Sequence, residues 1–163
     1  MGAFIDAGTL ECFVSRVGVL CVSSMFCAVY RIDPLRSEIP HVDLPGKNVH
    51  SFYEDKNGTL WWGSDKIYIS GNKYENLIQK VNSEFHQAST NFQFVSVIKE
   101  DSNGNILIGG GGGLIILNLT TKQFTHYVND PGDNNTLSNN NIISVSEDSK
   151  KNLWIATIRG LNR

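Results

Sequence analysis

The sequence is poor in the residue types that mark disulfide scaffolds, metal sites and nucleic-acid-binding surfaces. Only three of its 163 residues are cysteine, namely Cys12, Cys21 and Cys27, and no CxxC pair or nearby histidine has metal-ligand spacing. An odd number of cysteines does not suit a disulfide framework, so buried free thiols are the simpler expectation. The net charge of −2 comes without a basic cluster, which gives no reason to expect nucleic acid or a membrane surface as partner.

The chain also lacks a hydrophobic run long enough to cross a bilayer. Residues 17–30 are apolar, but the stretch is too short to span a membrane. Asp6 and Glu11 precede it without a basic start, so it does not have the form of a signal-peptide core. We therefore expect no signal peptide and no membrane segment in this chain, although a fragment of a secreted protein would also lack its signal.

The chain is rich in glycine and asparagine, and it repeats one pattern of strand, tight turn and strand. Three copies cover residues 48–64, 94–110 and 141–157. Leu60, Ile106 and Leu153 are equivalent positions, so the steps between copies are 46 and 47 residues. A degenerate fourth copy lies upstream, where residues 18–24 match residues 58–64 at a step of 40.

A period of about 40–50 residues made of strands and turns is typical of propeller blades. We therefore predict an all-β fold, a partial β-propeller of about three to four four-stranded antiparallel blades. Its divisions would be a degenerate blade at 1–46, blades at 47–93 and 94–139, and an incomplete blade at 140–163. The clearest strands are expected near residues 49–54, 59–64, 95–100, 105–109, 114–118, 124–128, 142–147 and 152–157.

Residues 74–81 are ambiguous between two structures. Their apolar residues are compatible with a short amphipathic helix, but periodicity over so few residues cannot decide. Because the equivalent stretch of a propeller blade is an outer strand followed by a crossover, the strand is the favoured prediction.

The tryptophans are predicted to be core residues. Trp61 and Trp154 occupy one repeat position, where the third copy has Leu107, and Trp62 corresponds to Ile108. Apolar replacements at equivalent sites favour packing between neighbouring blades over a sugar-stacking platform.

The paired carboxylates are predicted to be structural. They recur once per copy, as Glu54-Asp55, Glu100-Asp101 and Glu147-Asp148, which places them at separate points around a ring. Each aspartate begins a turn in which it can accept backbone amides, and Gly58 supplies the left-handed residue that such a hairpin needs. In the last copy Lys151 replaces this glycine, so either the lysine is left-handed or the turn changes type.

No other motif indicates catalysis, a metal or a cofactor. The Asp-x-Asn-Gly turns lack the further oxygen ligands of a calcium loop. The five glycines at 109–113 are followed by a strand rather than by Lys-Ser/Thr and a helix, so they indicate a close turn and not a phosphate loop. None of the four histidines has the order of a catalytic triad.

The weak ligand-binding candidates are Asp65, Lys66 and Arg159, in loops that follow the Trp strands.

The last copy carries a specific resemblance. Ile142 to Asp148, Asn152 to Thr157 and Gly160 to Arg163 resemble the two-component regulator propeller repeat, and so does the polar segment 129–140 before them. The resemblance implies a periplasmic, non-enzymatic sensor propeller of hybrid sensor histidine kinases that detects carbohydrate fragments. An oligosaccharide ligand is then the expected partner, and this chain would be a fragment of the whole propeller.

Two alternatives stay open at this point. One is a propeller lyase resembling streptogramin lyases, in which His50 would need a histidine and glutamate cluster with metal around the central channel. The other is a purely structural or assembly piece. In either case a terminal blade exposes an apolar face, so we expect self-association or contact with missing propeller blades.

Overall fold

The computed structural model describes the backbone of residues 10–15, 18–23, 28–32 and 41–43, and every atom of residues 49–88 and 94–163. The strands are β1 (Leu10–Ser15), β2 (Gly18–Ser23), β3 (Ala28–Ile32), β4 (His41–Asp43), β5 (Ser51–Glu54), β6 (Leu60–Gly63), β7 (Ile67–Ile69), β8 (Val95–Glu100), β9 (Asn105–Gly110), β10 (Gly113–Asn118), β11 (Gln123–Tyr127), β12 (Ile142–Glu147), β13 (Leu153–Thr157) and β14 (Gly160–Asn162). One helix, α1 (Glu75–Ala88), follows β7.

The strands form four antiparallel sheets in chain order, here called sheets one to four. Their strand orders are β1-β2-β3-β4, β5-β6-β7, β8-β9-β10-β11 and β12-β13-β14. The first strands of sheets two, three and four lie beside one another, because β8 contacts both β5 and β12. Sheets that meander outward from adjacent inner strands are the blades of a propeller, so the predicted all-β partial propeller is confirmed.

Neighbouring sheets bury their apolar residues against each other. Trp61 and Ile67 of sheet two pack with Ile98, Ile108 and other residues of sheet three. A second cluster joins sheets three and four, and it consists of Val97, Leu107, Leu114, Leu137, Ile142, Val145 and Ile155. Burying one such side chain stabilises the fold by roughly 1.5–3 kcal/mol. The core therefore lies between sheets rather than inside any one of them.

The strand predicted at residues 74–81 is wrong, since this segment belongs to α1. Ile78, Val81 and Phe85 are its buried residues, spaced as one stripe of a helix. Phe85 lies outside residues 74–81. Those eight residues alone were too few to show the helical period.

The helix also provides hydrogen-bond partners for the outer edge of sheet two, as a fourth strand would have done. The Asn82 side chain accepts a hydrogen bond from the Ile67 amide at 2.8 Å and donates one to the Ile67 carbonyl at 2.9 Å. One amide side chain thus satisfies both backbone groups of a β7 residue on its outer edge.

The eight predicted strands are all present, with ends within about two residues of those expected, a normal spread for strand boundaries. In sheet one, Cys12 and Cys21 are register partners on β1 and β2. The prediction of buried thiols concerns side chains outside the described residues.

The first hairpins of sheets two, three and four share a left-handed residue. Gly58 has φ 79° and Gly104 has φ 82°, and Lys151 adopts φ 65° at the same place. The last turn therefore keeps its type and puts a side chain where glycine is the unstrained residue.

We predict that Lys151→Gly raises the free energy of unfolding by about 1 kcal/mol, because it removes a left-handed conformation that costs an L-residue this amount. Denaturant unfolding measures the change. Lys150→Gly is the matched control, since Lys150 is not left-handed and its replacement should give no gain. Equal effects of the two substitutions would show that strain at Lys151 is not the cause.

Candidate functional site

The turn aspartates accept hydrogen bonds from groups within their own hairpins. Oδ1 of Asp55 accepts the amides of Asn57 and Thr59, each at 2.9 Å. The Asp101 and Asp148 turns repeat this pair of bonds at 2.8–3.0 Å. These carboxylates are acceptors inside tight turns, and the predicted structural role agrees with these contacts.

The second carboxylate oxygen of the turn aspartate accepts a hydrogen bond from a tryptophan in sheets two and four. The indole Nε1 of Trp61 donates to Oδ2 of Asp55 at 3.1 Å, and Trp154 donates to Asp148 at 3.0 Å. In sheet three, where the equivalent residue is leucine, Nδ2 of Asn105 donates to Asp101 at 2.8 Å. Sequence reasoning missed this contact, although the constant spacing of six residues between aspartate and tryptophan was available.

The prediction that the tryptophans are buried holds for Trp61 and Trp62 and is wrong for Trp154. Trp154 is 37% exposed, whereas its equivalents Trp61 and Leu107 are covered by the next sheet along the chain. The residue has the expected position, but no described residue packs over that face of sheet four.

Two glutamates of the acidic pairs, Glu100 and Glu147, each join their sheet to the sheet before it. Glu100 accepts the Lys56 amide at 3.1 Å and pairs with its ammonium group at 3.0 Å. Glu147 accepts the amide and the hydroxyl of Ser102, each at 2.6 Å. Lys56 and Ser102 both follow the turn aspartate directly, so this contact recurs with the repeat.

The inner strands of sheets two, three and four lie side by side and form a common wall. A groove of about 550 Å³ crosses β5, β8 and β12, and it is lined by Ser51, Phe52, Tyr53, Ser96, Val97, Ile98, Lys99, Glu100, Ile143 and Ser144. Burial, followed by the nearby Glu100 carboxylate, raises the pKa of the Tyr53 hydroxyl, so this group stays neutral. The lining is mixed, with hydroxyls beside one cation and one carboxylate.

His50 lies at the start of this wall. Its ring is 5.6 Å from that of Phe94, centre to centre. Across residues 49–88 and 94–163, no three histidine, cysteine or acidic side chains come together as a metal-binding group.

Asp65 and Lys66 lie in the exposed loop between β6 and β7, and both contact Tyr68. The Tyr68 hydroxyl donates to Oδ1 of Asp65 at 3.1 Å, and the Lys66 ammonium lies 5.2 Å from the ring centre. Trp62 stacks on the same ring at 5.6 Å. Burial, followed by the Asp65 carboxylate, raises the pKa of Tyr68 to about 12.

Arg159 lies in the equivalent loop of sheet four, between β13 and β14, and is exposed. Sheet three separates it from the Asp65–Lys66 loop along the ring. The three predicted ligand residues are therefore found in equivalent hairpins and do not form one cluster.

A larger cleft with a mixed polar and apolar lining lies on the rim of the propeller, between α1 and the outer strands of sheet three. We call it the rim cleft. It has a volume of about 770 Å³, and its lining is Asn76, Leu77, Lys80, Asn105, Ile116, Asn118, Thr121, Lys122, Gln123, Phe124 and Thr125. Sequence reasoning missed it because it depends on the helix, which replaces the predicted outer strand.

The floor of the rim cleft is held together by side-chain hydrogen bonds, and its edges are open. Nδ2 of Asn118 donates to Oδ1 of Asn105 at 2.9 Å, while Oδ1 of Asn118 accepts the amides of Thr120 and Thr121. Lys80 and Lys122 are exposed, one on each wall, and neither forms an ion pair with another described residue. The floor amides are therefore committed to protein partners, and the two cations stand above them at the edges.

The fold and its turns define the class of the protein. It is a β-propeller protein in which sheets two, three and four repeat an acidic first hairpin. The family described as two component regulator propeller matches residues 43–66 and 136–159. These two segments are thus similar to the two-component regulator propeller repeat.

Comparison with curated proteins gives no match to this chain. Among solved structures, the chain resembles the extracellular domain of the putative hybrid two component system BT3049 of B. thetaiotaomicron, with a TM-score of 0.66 and 20% identity over 93% of this chain and 19% of that one. The extracellular domain of the putative one component system BT4673 of the same organism gives 0.70 and 18% over 96% and 21%.

A third similar structure is PorZ, a surface component of the type-IX secretion system of Porphyromonas gingivalis, with a TM-score of 0.61 and 17% identity over 94% of this chain and 25% of that one. The chain thus spans about a fifth to a quarter of these structures, and the likeness establishes the shared fold. The described part of the chain contains no helix with the length and apolar character needed to cross a membrane.

We predict that acid weakens the fold partly through Asp148. Hydrogen bonds from the Asn152 and Trp154 side chains lower the pKa of this carboxyl from 3.8 to about 2. A lowered pKa means that the carboxylate stabilises the fold above its ordinary pKa, and this contribution is lost as the pH falls from about 4 to about 2. Urea unfolding across that range should show a smaller loss of stability in Asp148→Asn.

Glu84→Gln, at an exposed carboxylate on α1, is the control and should leave the acid dependence unchanged. The assignment to Asp148 is refuted if both variants keep the acid dependence of the parent chain.

Proposed function

We propose that this chain is part of a non-enzymatic sensor module that binds carbohydrate fragments in the periplasm. The observation that carries the proposal is the pair of two-component regulator propeller repeats, on a fold similar to extracellular domains of one- and two-component systems. The turn aspartates and the joining glutamates support a non-enzymatic role, because their oxygens are committed to backbone, indole and neighbouring-sheet contacts.

The rim cleft suits such a ligand better than the hairpin loops do. A sugar presents many hydroxyls, and the cleft edge offers Asn76 and Gln123 as amide partners beside the half-buried ring of Phe124. Asp65 and Lys66 already share Tyr68, so they would have to give up contacts on binding. Asp65, Lys66 and Arg159 remain the second candidate location.

The two lysines of the rim cleft favour a sugar that carries carboxylates. Lys80 and Lys122 face the cleft from α1 and from the turn before β11, in a chain whose net charge is −2. An ammonium group without an intramolecular partner gains a charge-assisted hydrogen bond when a carboxylate arrives. We therefore expect uronate-containing oligosaccharides to bind more tightly than neutral ones.

Titration calorimetry with matched uronate and neutral oligosaccharides tests this proposal. The double variant Lys80→Gln/Lys122→Gln should weaken uronate binding by about tenfold or more, since a lost charged hydrogen bond costs about 1.5–3 kcal/mol. Lys150→Gln removes an exposed lysine from the first hairpin of sheet four and should leave affinity unchanged.

The loop variants Lys66→Gln and Arg159→Gln separate the two locations. Loss of binding in these variants, with the rim-cleft double variant unaffected, would move the site to the hairpin loops. Absence of binding by every oligosaccharide tested would refute carbohydrate recognition by this chain.

We also predict no opening of streptogramin-type lactones, with or without divalent metal. A lyase of that kind would gather histidine and glutamate at the channel, and the equivalents of His50 in the following copies are Ser96 and Ile143. Product formation followed by chromatography is the measurement. Metal-dependent turnover that is lost in His50→Ala would establish the enzymatic alternative instead.

A further inference from the structure

We propose that the rim cleft is one part of a longer binding groove and that Lys122, at the junction of its two parts, selects the ligand. The ligand assigned to this groove is an oligosaccharide of at least two linked units, with a carboxylate on the unit in the rim cleft and an uncharged sugar beside it. This inference rests on the proposed function and adds to it the length of the ligand and the order of its units.

A smaller cavity adjoins the rim cleft at the start of α1, and we call it the side pocket. It has a volume of about 230 Å³ and shares Asn76, Leu77 and Lys122 with the rim cleft. Ligand-binding cavities usually enclose about 300–1,000 Å³, so the rim cleft is large enough to be a site and the side pocket alone is not. The shared residues make the side pocket an extension of the rim cleft.

The side pocket is formed where the helix begins. The Glu75 amide donates to the Asn72 carbonyl at 3.2 Å. Tyr74 is buried, and its ring lies 6.5 Å from that of Trp61, centre to centre. The backbone on either side of Tyr74, with Lys73 and Glu75, is thus held against the core of the propeller.

Lys122 is held in a conformation that favours glycine. Its φ is 57°, in a four-residue connection between Asn118 of β10 and Gln123 of β11, which are register partners. The Asn118 side chain accepts the amides of Thr120 and Thr121 and so fixes the turn before Lys122. Glycine or asparagine would adopt this conformation with little strain. A strained lysine at the junction of two cavities indicates that its side chain has a use there.

Lys151 provides a comparison with the same strain and no cavity. Among the residues that the structure describes, Lys151 is the other non-glycine residue with a positive φ, at 65°. It lies in the first hairpin of sheet four and lines neither the rim cleft nor the side pocket. Comparing Lys122 with Lys151 therefore separates backbone strain from ligand contact.

The charges differ between the two parts of the groove. The rim cleft is lined by Lys80 and Lys122, and no carboxylate is among its described lining residues. The side pocket contains the exposed Glu75, and the ammonium group of its Lys73 lies 5.2 Å from the ring centre of Tyr74. A carboxylate is attracted to the first part and repelled by Glu75 in the second, whereas sugar hydroxyls can donate to Glu75.

The length of the groove sets the minimum length of the ligand. Glu75 and Lys80 are both on α1, and they are separated by about 7.5 Å along its axis. One sugar ring is shorter than this separation, so a single unit in the rim cleft leaves the side pocket empty. Two linked units fill both parts, with Lys122 at the junction.

Titration calorimetry with three small ligands tests the order of the units. The ligands are a single uronate, a uronate linked to a neutral hexose in either order, and a disaccharide of two uronates. The mixed disaccharide should bind about tenfold more tightly than the single uronate, because its second unit adds a hydrogen bond to the Glu75 carboxylate. It should also bind more tightly than the uronate disaccharide, which brings a carboxylate to Glu75.

Glu75→Gln tests the role of the carboxylate in the side pocket. This variant should bind the uronate disaccharide at least as tightly as the mixed one, which reverses the preference of the parent chain. A carboxylate that only stabilises the start of the helix would lower stability when replaced and leave the preference for the mixed ligand unchanged.

Lys122→Gly tests the junction. It should raise stability to denaturant as Lys151→Gly does, because both relieve left-handed strain, and it should weaken binding of the mixed disaccharide by about tenfold or more. Lys151→Gly should leave the affinity unchanged. Lys122→Arg, which keeps the cation, should retain binding.

The results separate this inference from the proposed function. Equal affinities for the single uronate and the mixed disaccharide, or full affinity in Lys122→Gly, would overturn the groove and leave carbohydrate binding in place. Absence of binding by all three ligands and by longer uronate oligosaccharides would overturn both. Binding that is lost in Lys66→Gln or Arg159→Gln, but not in Lys122→Gly, would place the ligand at the hairpin loops instead.

Discussion

The structure depends on one constraint: a sheet of this propeller cannot bury its own apolar residues. Strands such as β6 and β9 are buried along almost their whole length, because a neighbouring sheet lies against each side. Trp61 faces sheet three, and Ile108 of sheet three points back to the same cluster. Stability is therefore shared between neighbours, as in other repeat proteins, and each interface must be specified along with each sheet.

The acidic pair divides this work between two residues. The aspartate fixes the hairpin from within, through two backbone amides and one or two side-chain donors. In sheets three and four the glutamate beside it reaches the turn of the preceding sheet. Two adjacent carboxylates thus act in different directions, one on the fold of a sheet and one on the spacing between sheets. An acidic pair that resembles acid–base machinery in the sequence therefore serves to hold neighbouring blades in a fixed alignment.

The sequence predicted the parts of the fold that repeat. Strand positions, hairpin turns and the all-β class followed from equivalent residues such as Leu60, Ile106 and Leu153, because the same physical demand recurs at each. The prediction failed at α1 and at Trp154. At α1 the eight residues 74–81 were compatible with either structure, and the helical stripe extends beyond them to Phe85. At Trp154 the residue matched the repeat, but its burial depends on a covering sheet.

The candidate site was harder to predict for the same reason. Asp65, Lys66 and Arg159 were chosen as polar loop residues, and their loops are equivalent without being adjacent. The rim cleft exists because α1 stands where the repeat would place a flat outer strand, and Asn82 of the helix satisfies the strand edge that this exchange leaves open.

A helix standing off the sheet leaves room that a strand would fill, and Lys80 and Lys122 line that room together with Leu77, Ile116 and Phe124. The repeated contacts fix the scaffold, so a departure from the repeat can change the surface without loosening the sheets. Recognition in this chain is therefore best sought where the repeat is broken, at the helix.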